Sequence, residues 1–195
     1  MASAASRTEN SVDLSRQFLL AMPGMADDEW AHSVVYLCEH NEQGALGLIV
    51  NRPTDVTVGD LLGRLDITVT DAGQSRAALP VYFGGPVHTD RGFVLHGPGR
   101  KYHSSIDLGE MVLTTSRDVL EDIARGEGPA QFLVTLGYAG WGTGQLESEL
   151  AANAWLNVVA TSNVVFDTAP ETRYESALGA LGIQSAMLTG VAGHA

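Results

Sequence analysis

Cys38 is the single cysteine of a 195-residue chain, and His40 follows at the spacing that puts two side chains on one face of a strand. A thiol beside a histidine is a pairing from which nucleophilic and transfer chemistry is built. Residues 33–40 are rich in branched and aromatic side chains, 41–44 read Asn-Glu-Gln-Gly, and 45–51 return as a second apolar run; this predicts a β-hairpin. Pairing His40 with Ala45 sets Cys38 opposite Gly47, Tyr36 opposite Ile49 and Val34 opposite Asn51, with Leu37–Leu48 and Val35–Val50 on the core face. Cys38, His40 and Asn51 then line one surface, and Gly47 leaves space beside the thiol. Against a reactive thiol, free cysteine is among the most buried residue types, and Glu39 raises the thiol pKa that reactivity needs lowered. A small buried cysteine is the simpler expectation.

A second cluster is Gly137-Tyr138-Ala139-Gly140-Trp141-Gly142-Thr143-Gly144, expected as a glycine-rich turn between a strand at 131–136 and a helix at 145–152. A strand, glycine turn and helix N-terminus is how proteins cradle phosphate. Here the spacing is not G-x-G-x-x-G, no Lys-Ser/Thr pair follows, and Glu147 and Glu149 already occupy the positive end of the helix dipole. The glycines are better read as permitting tight packing beneath Trp141. The six histidines (His32, His40, His88, His96, His103, His194) have no H-E-x-x-H or C-x-x-C context, so no metal and no cofactor is expected. No G-x-S-x-G elbow is present, and Ser104, Ser105 and Ser116 have the context of loop and cap residues.

The elements that must position these residues follow from periodicity and punctuation. Short strands are expected at 18–21, 81–83, 92–95, near Ile106, at 111–114 and at 156–160, with a brief helical turn opened by Asp27 and Asp28. Thr57 caps a helix reaching about Leu65, with Val58, Leu61, Leu62 and Leu65 on one face, and residues 66–79 meander at the surface. Gly84-Gly85-Pro86 breaks the chain, and 97–105 is a long loop. Ser116 caps a helix ending at Gly126, and 171–181 form the last helix, closed by Gly182. Residues 1–17 are small and polar and are expected as a flexible segment before a single domain over 18–195.

Eleven basic and 23 acidic residues leave a net charge of −12, which repels phosphate backbones and anionic lipid. Direct nucleic-acid contact and membrane association are therefore not expected. No run approaches the ~18 apolar residues of a membrane span, and a lone cysteine fits a reducing compartment. A soluble, cytoplasmic protein is expected.

Several stretches together resemble the YqgE/AlgH family of bacteria: FLLAMPGM, HSVVYLCEHNEQGALGLIVNRP, VYFGGPV followed by RGFVLH, GYAGWGTGQLESELAANAWL, and FDTAPETRYESALGALGI with a terminal AGHA. They run in order from Phe18 to Ala195. The family usually has proline where Asp28 stands, and 66–79 match it little. The resemblance implies a mixed α/β (α+β) fold in which a bifurcated β-sheet curls into a pseudo-barrel with flanking helices. It also implies a cytoplasmic protein without an assigned reaction. One branch is linked to regulation of alginate production and labelled a transcriptional regulator.

The motifs bring polar and aromatic side chains beside glycines, as a pocket for a small molecule or peptide requires. The candidate pocket residues are Cys38, His40 and Asn51 from the hairpin, Arg91 and His96 from the next strands, and Tyr138, Trp141, Gln145 and Glu147 from the glycine cluster. With no complete catalytic constellation, the reading is a non-enzymatic binding or regulatory module, acting on gene expression indirectly through a protein or small-molecule partner. The alternatives are a thiol- or histidine-dependent hydrolase or transferase using Cys38 with His40 or His96, and a direct DNA-binding regulator, which the net charge disfavours.

Overall fold

The computed structural model describes residues 12–25 and 30–188. Among the described residues, ten strands form one sheet that curls into a half-barrel, with seven helices packed on it. The N-terminal strand β1 (Gln17–Ala21) lies between β10 (Trp155–Val159) and β2 (Val34–Asn41), and β2 returns through a tight turn into β3 (Gly44–Ile49). Alternate residues of β1 and β2 enter different cores. Phe18, Leu20, Val34 and Tyr36 pack on one side, and Leu19, Ala21, Val35 and Leu37 on the other. Strands covered on both faces read as near-continuous apolar runs, which is why these segments lack polar alternation.

The centre of the sheet is β9, which runs from Phe132 to Trp141. The strand expected at 131–136 therefore continues through 137–141 of the segment expected as a turn, and the turn is confined to 142–144. One edge of β9 pairs with β6 (Val87–His96) along its length. The other edge is shared: its first half pairs in parallel with β5 (Pro80–Phe83) and its last residues pair antiparallel with β3. This forks the sheet, and the fork is made by glycine. Gly137 adopts φ +74°, and a Cβ there would lie 2.2 Å from the Gly85 carbonyl oxygen. Gly85, at φ +149°, would place its own Cβ 2.1 Å from the Tyr138 carbonyl carbon. Two backbones cross at a distance no side chain permits, so Gly137 serves close approach within a strand, while Gly142 and Gly144 lie in the turn that leads into the next helix.

Helix α1 (Val58–Arg64) begins at Thr57 in a capping box with Asp60, and with α3 (Arg117–Arg125) it covers a third core around Val81, Val94 and Val134. Leu65, expected on the buried face of α1, is its C-cap and is 36% exposed. Gly126 closes α3 in the left-handed conformation, as expected of a terminal glycine. Residues 66–79 do not simply meander. They hold a 3-10 turn, Asp71–Gly73, and the short α2 (Gln74–Ala77), with Gly73 pressed against the Ala124 carbonyl. Strands β4 (Pro53–Thr57), β7 (Ile106–Asp107) and β8 (Val112–Thr114) complete the sheet. Helix α4 (Gln145–Ala151) covers the Trp141 side. Helix α5 (Ser162–Phe166), unseen in the sequence, joins α6 (Arg173–Gly179) over the other side. Expected as one helix over 171–181, the last long element starts as a 3-10 turn at Pro170–Thr172, and α7 (Ser185–Leu188) follows α6. The helical turn expected at Asp27 and Asp28, and His194, lie outside the described residues.

Candidate functional site

The hairpin does not present Cys38 as its spacing suggests. His40 pairs with Ala45, as expected, but the register slips between Leu37 and Glu39: Leu37 faces Gly47 and Glu39 faces Leu46. Cys38 is the extra residue of a β-bulge, so each expected pair beyond it is displaced; Tyr36 faces Leu48 and Val35 faces Ile49. The bulge also changes the phase of alternation. Cys38 joins Tyr36 in one core, while His40 meets Leu14 and α4 on the side of the other. The space at Gly47 is filled by Val35, whose Cγ1 lies 2.5 Å from where a Cβ would stand. The thiol is 7% exposed, its Sγ donates to the Tyr36 carbonyl at 3.7 Å, and burial, helped by Glu39, pushes its pKa far above the usual range. Such a thiol is a poor nucleophile.

His40 is a tie. Its Nδ1 accepts from the Leu14 N–H at 3.1 Å, which leaves Nε2–H to donate to Glu147 Oε1 at 2.9 Å. The Glu147 carboxyl is held below its ordinary pKa by its own backbone N–H and then by His40. Asn51 is used on both sides: Oδ1 accepts from the Val34 N–H at 2.9 Å, and Nδ2 donates to the His32 carbonyl at 2.8 Å. His96, 1% exposed, donates from Nδ1 to the Gly97 carbonyl and accepts at Nε2 from the Thr114 hydroxyl at 2.9 Å. Burial lowers its pKa. Arg91 lies over the Phe93 ring and lines a hollow of about 440 Å³ that Cys38 also borders. No hydrogen bond or ion pair joins Cys38, Asn51, His96 and Trp141 into one group among the described residues.

Trp141 and Gln145 do meet, around a residue assigned only to the helix dipole in the sequence. Glu149 Oε2 accepts both indole N–H groups, from Trp141 at 2.9 Å and from Trp155 at 2.7 Å. Its Oε1 accepts from Gln145 Nε2 at 2.9 Å, and Gln145 Oε1 in turn accepts from the Gly142 N–H. Trp155 packs edge-on against Trp141 (centroids 5.9 Å) and against Trp30 (5.6 Å). All three tryptophans of the chain thus adjoin one cleft of about 580 Å³, bordered also by Met25 and Asn153. Tyr138 lies on the other side of Trp141, lining a neighbouring hollow of about 350 Å³ with Glu39 and Asn41 and packing its ring on Phe93. Trp30 and Met25 were not singled out in the sequence, because neither carries a periodic signal; the rarity of tryptophan was the one usable clue.

The lining of the tryptophan cleft has, among the described residues, aromatic walls and one carboxylate, Glu149, whose two oxygens accept from indole and amide donors. Among the described residues no group of three potential metal ligands comes together, and no helix is long and apolar enough to cross a membrane.

A family profile described as AlgH-like matches residues 18–186. A UPF0301 protein of Bordetella pertussis is 58% identical over 187 residues, covering 96% of this chain and 92% of that protein. One from Burkholderia cenocepacia is 53% identical over 193 residues, covering 97% of this chain and all of its own. The solution structure of AlgH from Pseudomonas aeruginosa, 46% identical, superposes with a TM-score of 0.79 over the full length of both chains. A crystal structure from Corynebacterium diphtheriae, 19% identical, shares the fold with a TM-score of 0.64 over 82% of each chain. With its forked half-barrel, its glycine crossing and these similarities along its length, the chain belongs to the AlgH-like family of UPF0301 proteins.

Proposed function

We propose that the protein is a non-enzymatic binding module whose tryptophan cleft takes a cationic, partly apolar ligand, such as a basic segment of a protein partner. The observation that carries this reading is the trio of indoles around Glu149. A carboxylate bonded to two indole N–H groups adds negative potential to ring faces that already attract cations. The net charge of −12 steers basic ligands toward the molecule and turns nucleic acid away. A role in gene expression then runs through the partner rather than through DNA. The buried thiol at the hairpin bulge supports no covalent step.

Because every tryptophan adjoins the cleft, intrinsic fluorescence reports on it directly. Titration with a tryptophan-free oligo-arginine peptide is expected to give a saturable change in emission that weakens with salt and in Trp30→Ala. A titration without saturation, or one unchanged by Trp30→Ala, refutes the reading.

A further inference from the structure

On the opposite side of the molecule a buried cation stands at the wall of a second cleft. Arg173, at the start of α6, is 5% exposed. Its Nε donates to the Thr168 carbonyl at 3.0 Å, and Nη1 donates to the Val50 carbonyl. The guanidinium lies 5.2 Å from the centroid of the Tyr82 ring. All of these partners are neutral. Among the described residues no carboxylate comes within ion-pair distance, and Glu171 acts on it only from farther away. A buried charge without a counter-charge is costly, and the direction of its pKa, lowered by burial, records that cost. One donor holds α6 to the end of β3 and another to the loop after α5, and among the described residues the charge itself is left without an acid.

The adjoining cleft measures about 280 Å³ and is walled by Leu79, Pro80, Phe132, Val165 and Phe166. That is near the lower end of the range for ligand pockets, room for one small molecule. Asp167 stands in the same lining, with Oδ1 held by Gln131 Nε2 at 2.7 Å. An apolar cavity with one buried guanidinium fits a carboxylate on a hydrocarbon body, and Asp167 in the same lining opposes any anion there, a dianion more than a monoanion.

We infer that this cleft binds a small apolar monocarboxylate, an aliphatic or aryl acid, with its carboxylate on Arg173 and its body against Phe132 and Val165. The ligand supplies the counter-charge that the described residues do not. The site is separate from the tryptophan cleft, and neither reading depends on the other.

The test is a ¹H–¹⁵N titration of the full chain with 3-phenylpropanoate, and with 3-phenylpropanol as its uncharged counterpart. Saturable shifts are expected at 130–134 and 165–173, with the alcohol weaker by roughly 10- to 100-fold, the worth of a charge-assisted hydrogen bond. Ala130→Trp, at an exposed lining position, is expected to abolish the shifts without touching Arg173. Asp167→Asn is expected to admit a dicarboxylate that the parent rejects. Absence of saturable shifts, equal binding of acid and alcohol, equal binding of inorganic phosphate, or indifference to Ala130→Trp would each overturn the inference.

Discussion

Replacing Glu149 by alanine strands two donors at once. The indole N–H groups of Trp141 and Trp155 both end on Glu149 Oε2, in side chains belonging to residues only 7% and 4% exposed. Leaving a buried donor unpaired costs about 1–3 kcal/mol, and bonds to a charged group contribute about 1.5–3 kcal/mol each. Glu149 itself is only partly buried, so the charged component is screened and the lower half of each range applies. Glu149→Ala is therefore expected to destabilise by about 2–4 kcal/mol, a fall in Tm of roughly 5–15 °C for a domain of this size. Glu149→Gln keeps an oxygen where both indoles point and loses only the charge, for about 1 kcal/mol. Urea unfolding followed by circular dichroism measures stability, and native tryptophan emission measures the cluster. Freed of Glu149, the indoles lose their shared anchor and the native emission is expected to shift toward red. If Glu149→Ala unfolds within about 0.5 kcal/mol of the parent, with unchanged emission, the two hydrogen bonds do not hold the cleft.

Two further outcomes follow from buried groups. Cys38 should resist iodoacetamide in the folded protein across the neutral and mildly alkaline range and react on unfolding in urea; native labelling at the rate of a free thiol would contradict its burial. His96 is held neutral by burial, with its pKa below the ordinary 6.5, so the unfolded chain binds the extra proton first. Its contribution is thus full above about pH 6.5 and is lost as pH falls toward the depressed folded value. His96→Gln should flatten that part of the pH–stability curve, and a slope unchanged by the substitution would assign it to other groups.

The local elements were legible where propensity and packing agree. Thr57 and Ser116 mark helix starts, Gly126 marks an end, and the apolar runs read at 33–40 and 45–51 form a hairpin, with strands at Val34–Asn41 and Gly44–Ile49. Three features were not legible. The bulge at Cys38 depends on how β2 meets β3, and nothing in a single strand records an extra residue. The glycines at 137–144 look like a turn because turns use glycine most often. Only the crossing with Gly85 shows that the strand runs on to Trp141 and needs Gly137 for close approach, leaving the turn to 142–144. Helix α5 is five residues long, too short for helical periodicity to register.

The candidate residues divide along the same line. Composition by itself decides the charge of −12, the single thiol and the three tryptophans. Residue order decides the hairpin and the caps, because those depend on neighbours a few positions apart. Tertiary structure alone decides that Trp30, Trp141 and Trp155 share one cleft with Glu149. It also commits His40 and Asn51 to tying backbone, and leaves Arg173 buried with no acid at ion-pair distance among the described residues. Each of those outcomes joins residues that meet only when the sheet curls, and such long-range contacts leave no periodic trace in the sequence.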